Sequence, residues 1–552
     1  MTPETLADAI RTCLLEAVEA GELRADVPER VTVERPRNRD HGDWSTNVAL
    51  QLAKGAGVAP RQVAELLAAR LRCVDGVDGV EVAGPGFLNV TVEVASAGAL
   101  ARTVVEAGKA YGRNESLAGE VINLEFVSAN PTGPLHIGHT RWAALGDALA
   151  RLLRAAGADV TTEFYVNDAG AQMDRFGASV LARAAGRPVP EGGYHGGYVD
   201  GLAQQALADR PDLLDLTEGE ALPVARDSAF RRQMAEIEQT LADFDVHFDV
   251  FFSEQTLHDS HAVDKAVARL REQGHVEDND GAVWLRTTDF GDDKDRVMVR
   301  ANGEPTYFAS DAAYYLSKKD RGFPRKIYLL GADHHGYVKR LRAIAACAGD
   351  DPASSIEVLI GQMVDIGGAR MSKRAGNIIE LRDLVEWIGK DSVRYSLARY
   401  PADSPLSLDA AEMRKQTNDN PVFYVQYAHA RTANVARNAA TVGVRREDGF
   451  DASLLDHASE EAVLASLAQF PGVVAQAATL REPHRVARYL EELAGAYHKW
   501  YDQRRVMPSV LTDGTVEPVT DVQRSRLWLN DAVRTVLANG LALLGVSAPE
   551  RM

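Results

Sequence analysis

The sequence predicts an α/β protein: a parallel sheet with helices on both faces, preceded by a small α+β unit and followed by an all-α bundle. Three observations predict it. Apolar runs of strand length alternate with amphipathic helical stretches from residue 111 to about 405. The 552 residues exceed what one hydrophobic core supports, so about three domains are expected. From about residue 406 to 552 the strand pattern fades and helical periodicity dominates.

Residues 1 to about 110 read as the α+β unit. Thr5 to Ala20 and Gln62 to Leu71 have helical spacing. Trp44 to Lys54 reads as a helix after the turn-rich stretch 38–43. Val31 to Glu34 is strand-like, and Val80–Val82 with Phe87–Val92 make two strands around Gly84-Pro-Gly86.

The middle of the chain turns on one segment. Val121 to Val127 is a branched, apolar strand; Asn130-Pro-Thr-Gly-Pro134 breaks it; an amphipathic helix then runs from His136 to about Ala156. A strand, tight loop and helix start aims backbone N–H groups and the positive helix end at one place, and phosphate is the usual guest. Gly138 leaves room for a flat ligand. His136 and His139, three apart, share a face of the first turn. By itself such a pair is an ordinary polar helix start; its company in this order makes it a site. Further strands are expected at 159–166, 283–287, 296–300, 326–331 and 356–361, with helices at 309–319 and 337–348 between them. The polar interval 186–243 contains helical stretches and reads as an insertion, since a bare loop of that length does not suit a compact domain. Ligands of such sheets gather at the carboxyl ends of the strands.

After residue 406, helices are expected at 423–439, 460–478, 485–501 and 520–544. Tyr424, Tyr427 and Arg431 fall on one helix face, and His498, Tyr501, Arg504 and Arg505 form a second aromatic-basic group. Either is equally an amphipathic face with snorkelling edges.

Composition removes several function classes. Hydrophobic residues make up 45% and charged residues 25%, ordinary for a globular protein. No apolar run approaches the ~20 residues of a membrane span, and the acidic N-terminus lacks a signal pattern, which favours the cytoplasm. Cys13, Cys73 and Cys347 form neither a disulfide framework nor a zinc set. A net charge of −18 opposes nucleic-acid binding by charge alone, but not the reading of a folded RNA through local patches and stacking.

His136-Ile-Gly-His139 resembles the first signature of class I aminoacyl-tRNA synthetases, and the run Ala129 to His139 resembles that of the bacterial-type arginyl-tRNA synthetases. The loop Arg370-Met-Ser-Lys-Arg374 resembles the second signature, departing from it at Arg370 and Arg374. The pieces His41–Leu50, Ala83–Asn89, Asn302–Leu316, Gly331–Val338 and Asp419–Arg431 are similar to the same family, so the resemblance spans nearly the whole chain.

The resemblance implies a Rossmann-like catalytic domain at 111–405, an N-terminal domain (1–110) contacting the tRNA elbow, and an anticodon-binding helical domain (406–552). The activity implied is arginine–tRNA ligation: arginine is activated with ATP and Mg²⁺, then passed to the terminal adenosine of tRNA(Arg) by a monomer. No zinc or tightly bound cofactor is expected. Negative charge grows on the phosphates as pyrophosphate leaves, so the reaction asks for positioned donors and cations. His136, His139 and Lys373 are the implied catalytic residues, with Gly138, Met371 and Ser372 at the ATP. A guanidinium asks for carboxylates and flat partners. The implied arginine site is Glu125, Ser128, Asn130, His139, Tyr307, Asp311 and His335, the last favoured over His334. The adjacent histidines are not read as a metal site, because no partner completes a ligand set. Tyr424, Tyr427, Arg431 and Arg504 are the implied tRNA contacts. Competing readings are weaker. A cysteine-specific enzyme is excluded because this sequence lacks the cysteines of a zinc-bound pocket, and a glutamate-specific one fits badly with Glu125 and Asp311. A non-catalytic tRNA binder is opposed by the intact histidines and Lys373, and a small-metabolite nucleotidyltransferase leaves both flanking domains without a task.

Overall fold

Five parallel strands carry the middle of the protein in this computed structural model, which describes residues 1–36, 41–332, 335–367, 379–509 and 515–552. They are β1 (Val121–Glu125), β2 (Asp159–Val166), β3 (Val250–Ser253), β4 (Arg325–Gly331) and β5 (Ile356–Gly361), in the order β5-β4-β1-β2-β3. The chain builds outward from β1 in one direction, then returns to its other side. The β1/β4 crevice is therefore the switch point where ligands of such sheets bind. Ile122 and Leu124 are fully buried, as expected of a central strand covered on both faces. Register matters here: Glu125 lies level with Tyr328 on β4 and Glu163 on β2, so all three point to the same face.

Helix α1 (Ile137–Ala155) follows β1, and helix α2 (Tyr307–Asp320) supplies residues to the same cluster. The expected strands at 283–287 and 296–300 exist, but not in the parallel sheet. With Val276–Asn279, Ala282–Leu285 and Arg296–Val299 form a separate antiparallel sheet. The cause is local: Asp280 and Gly281 both have positive φ (50° and 76°), a two-residue turn that returns the chain antiparallel at once. The parallel sheet instead takes the short β3, which the sequence reading missed. The interval after residue 186 holds the helices Gly197–Asp209 and Glu218–Asp243, packed on Ala171–Ala184 around Phe176, Val180, Val199 and Leu202.

In the N-terminal unit, Trp44–Thr46 is a strand pairing with Phe87–Val92, and the helix starts only at Val48. The strand expected at Val31–Glu34 reduces to a single bridge between Glu34 and Ser45. Helix Pro3–Glu19 starts with a capping box on Thr2.

The last part is helical: α3 (Pro421–Thr441), α4 (Ala458–Leu480), α5 (His484–Gln503) and α6 (Asp521–Leu543). A short strand at Leu406–Asp409 pairs with Val364–Gly367 before them, where the sequence showed none. Helix α4 departs from the expectation about apolar length: its 23 residues and mean hydropathy of 1.4 suffice to cross a membrane. It is nevertheless a packed helix, with Val463, Leu464, Leu467 and Phe470 buried and Glu460 receiving Arg526 at 2.7 Å.

Candidate active site

The site begins with strain at the end of β1. Val127 and Ser128 have φ of 67° and 41°, and the Ser128 N–H donates back to the Phe126 carbonyl at 2.9 Å. A β-branched residue at positive φ is costly, and such costs concentrate at functional sites. The chain then runs through the exposed Asn130 to His136, the N-cap of α1.

Both histidines are held in one tautomer by backbone donors. The Gly138 N–H donates to His136 Nδ1 at 3.1 Å, and the His136 N–H donates to His139 Nδ1 at 3.3 Å. Their rings lie 3.9 Å apart, and burial lowers both pKa values, that of His139 to about 3. Each is therefore neutral with its proton on Nε2, a donor directed away from the helix end. Gly138 serves this cap: a Cβ there would lie 3.0 Å from His136 Cε1. Backbone pairing ties the segment to the chain that leaves the second signature. Ile137 N–H donates to the Ile379 carbonyl at 3.0 Å, and Leu381 N–H to the Leu135 carbonyl at 2.8 Å. Arg141, fully buried one turn later, donates to the Gln362 and Pro401 carbonyls at 2.7 and 2.8 Å. The loop residues Arg370, Met371, Ser372, Lys373 and Arg374 lie outside the described residues, as does His334. His335 starts the helix His335–Cys347, with its side chain outside the description.

The acids divide into two sets. Glu125 is engaged: Lys318 of α2, with no exposed side-chain surface, donates to it at 2.5 Å, and Ser128 Oγ donates at 3.2 Å. Glu163 is engaged more fully, by a bidentate Arg321 at 2.6 and 2.9 Å, by Tyr314 at 2.5 Å and by Asn123 at 3.0 Å. The second set is Asp311 and Glu254. Burial raises each to about 7; mutual repulsion adds to the shift at Asp311, while hydrogen bonds from Tyr337 and Tyr165 oppose it. Arg340 acts on Asp311 only partly and His258 stands 3.9 Å from Glu254, so among the described residues the two acids lack the close Lys or Arg partner that Glu125 and Glu163 have, which suits them to a cationic group. Tyr307 opens α2, is 65% exposed, and holds its hydroxyl over Gly170.

Sequence reasoning missed Glu254, Tyr165 and Lys318. Glu254 follows the short apolar run Val250–Ser253, which was the available signal. Asp168 accepts from Ser253 Oγ at 2.6 Å and the Gln255 N–H at 3.0 Å, fixing the turn that carries Glu254. Among the described residues, no group of three His, Cys, Asp or Glu is arranged to hold a metal.

In the helical part, the two aromatic-basic groups merge. Arg431 lies between the rings of Tyr427 (4.7 Å) and Tyr501 (4.8 Å), bonds Tyr427 Oη at 2.9 Å and contacts His498 Nδ1 at 3.0 Å. Tyr424 packs on His498 at 5.0 Å. Arg504, at the end of α5, turns back to the Gln503 carbonyl at 3.1 Å.

Residues 4–92 match the model described as the arginyl-tRNA synthetase N-terminal domain. Residues 102–183 and 218–399 match the class I (R) tRNA synthetase catalytic domain, and 425–552 the DALR anticodon-binding domain. The chain is 66% identical to the arginine–tRNA ligases of Pseudarthrobacter chlorophenolicus and Micrococcus luteus, with 100% of each chain covered. It shares the fold of the Thermus thermophilus arginyl-tRNA synthetase, with a TM-score of 0.77 at 24% identity over 100% of both chains. A strand–loop–helix with two capping histidines, an acidic pocket beside it and full-length identity at this level agree: the chain belongs to the arginyl-tRNA synthetase family, class I arginine–tRNA ligases.

Proposed function

We propose that the cleft at the carboxyl edge of the sheet carries both steps of arginine–tRNA ligation, with the following division of labour. The observation that carries it is the pair of raised acids Glu254 and Asp311, which among the described residues lack the close Lys or Arg partner that Glu125 and Glu163 have, together with two neutral histidines on a helix N-terminus. The arginine guanidinium enters between these acids and supplies the charge they lack. Tyr307 packs over it, and Glu125, held by Lys318 and Ser128, forms the floor. Asn130 faces the α-amino and carboxylate end, and His335 is a further arginine contact.

ATP lies along the start of α1, with Mg²⁺ arriving on its phosphates. The arginine carboxylate attacks the α-phosphorus, and pyrophosphate leaves. His136 and His139 donate from Nε2–H to the phosphate oxygens without changing protonation state. Lys373, with Met371 and Ser372, brings a cation to the leaving pyrophosphate. The 2′-hydroxyl of the terminal tRNA adenosine then attacks the acyl carbon, and AMP leaves. Residues 1–110 hold the tRNA elbow. Residues 406–552 hold the anticodon, with unpaired bases stacking on Tyr424, Tyr427 and Arg431 and with Arg504 nearby on the backbone. The enzyme acts as a monomer in the cytoplasm.

Arginine-dependent ATP–pyrophosphate exchange with tRNA present tests the whole assignment. Exchange with arginine and with no other amino acid is expected; exchange with none, or with another amino acid, removes it.

A further inference from the structure

The segment Ala129–Pro134 joins the strained turn to the histidine cap with few ties of its own. Pro131 and Pro134 have no N–H to donate. Among the described residues, one hydrogen bond reaches this segment from elsewhere: the Tyr198 hydroxyl donates to the Thr132 carbonyl at 3.0 Å. Tyr198 stands in the first turn of the helix Gly197–Asp209, inside the interval that the catalytic family model passes over between residues 183 and 218. Its hydroxyl also covers Gly133, where a Cβ would lie 3.5 Å away. Thr132 is buried, and burial raises the Tyr198 hydroxyl to about 12, so it remains a donor at any working pH.

The two ends of the segment have different anchors. Toward the histidines, Leu135 and Ile137 are tied to Leu381 and Ile379 by backbone hydrogen bonds. Toward Asn130, the tie is Tyr198. The platform behind Tyr198 is firm, because its helix shares an apolar core with Ala171–Ala184 and Glu218–Asp243. The long helix reaches the other anchor as well: Glu236 receives Arg382 at 2.7 Å, beside Leu381. Asn130 itself is exposed and has no hydrogen bond among the described residues, so its position follows that of the Thr132 backbone.

We propose that Tyr198 is a positioning residue for amino-acid activation: its hydroxyl holds the Thr132 carbonyl and thereby sets Asn130 against the substrate's amino-acid end. The insertion is then a strut for the arginine side of the cleft, while the Ile379–Leu381 anchor sets the ATP side. The inference rests on Asn130 contacting arginine, as proposed above.

The test is Tyr198→Phe, which removes one hydroxyl and keeps the ring. Exchange is measured with tRNA present, varying arginine and ATP separately, alongside Asn130→Ala and the double variant. A lost hydrogen bond in the turn raises the arginine KM about five- to tenfold. The ATP KM and the thermal midpoint stay as in the unaltered enzyme, and the double variant shows less than the product of the single effects. If Asn130→Ala raises the arginine KM and Tyr198→Phe does not, the positioning role is overturned. It is equally overturned if Tyr198→Phe raises both KM values together with a fall in midpoint, which is what mere loosening of the insertion produces. If Asn130→Ala has no effect on arginine, the contact proposed for Asn130 fails first, and the strut with it.

Discussion

Lys318 and Glu125 meet at 2.5 Å, with the ammonium wholly enclosed between the rings of Tyr314 and Tyr328, 4.5 and 4.2 Å away. The carboxylate stands at the end of β1 and the ammonium inside α2, so the pair fastens the arginine-pocket helix to the central strand. A buried pair adds little over an apolar replacement, but breaking one side of it is costly. Lys318→Met is therefore expected to destabilise the enzyme by about 3 kcal/mol. Adding Glu125→Gln should recover much of that loss. Thermal unfolding of the two single variants and the double variant measures this; a double variant no better than Lys318→Met refutes the coupling.

With arginine bound at Asp311 and Glu254 as proposed, its binding should depend on pH. Burial raises both carboxyls to about 7. From the ordinary carboxylate range up to about 7, the folded protein without arginine binds more protons than the unfolded chain. Its stability therefore falls as pH rises through that window. A guanidinium needs the charged forms, so arginine binding releases protons near neutrality and tightens as pH rises toward 8. Calorimetry in buffers of different ionisation heat reads the proton release directly. Asp311→Asn should reduce the release, flatten the stability slope and raise the arginine KM with little change for ATP; an unchanged release excludes Asp311.

Gly138 protects the histidine cap. A methyl group there would press on His136 at 3.0 Å and disturb the Nδ1 acceptor that orients the ring. Gly138→Ala should lower exchange turnover about ten- to a hundredfold, because small misplacements of a donor are costly in the transition state. The cost in stability should be only about 1 kcal/mol, the usual worth of a cap. Wild-type turnover in this variant would detach the cap from catalysis.

Neutral imidazoles give a second check on the same two rings. Burial holds His139 at about 3 and His136 below its ordinary value. His139 should gain no proton between pH 6 and 9, His136 should titrate below an ordinary imidazole, and imidazole nitrogen shifts in NMR should report the Nε2–H form of His139 throughout. A titration of His139 near 6.5 contradicts the buried cap.

Arg431 is held flat between Tyr427 and Tyr501. Arg431→Ala should raise the tRNA KM about tenfold, the scale of one lost stacking partner. The arginine and ATP constants should stay near wild type. An unchanged tRNA KM removes this cluster from the tRNA surface.

Much of the fold was legible because its signals are local. The β1–loop–α1 unit, with His136 and His139 at the helix start, is written in consecutive residues. So are the helices of the last part, whose apolar periodicity runs for many turns. The errors came where short elements depend on their partners. Trp44–Thr46 became a strand because Phe87–Val92 lies beside it. The strands near 283 and 296 left the parallel sheet because of a positive-φ turn at Asp280 and Gly281, which the sequence did display. Glu254 was overlooked because a lone acid after three apolar residues and a serine carries no periodic signal.

The sequence by itself determined many of the chemical groups the enzyme owns: the capping histidines, the cationic loop, Glu125 and Asp311, and the long periodic helices. These follow from residue type and short-range spacing. Only the tertiary structure decided how the groups are used. Register placed Glu125 and Glu163 on one face, where Lys318 and Arg321 engage them. Burial raised Asp311 and Glu254 to about 7, and packing of the insertion carried Tyr198 to the Thr132 carbonyl. Charge pairing and desolvation depend on neighbours remote in the chain, and no local pattern encodes them.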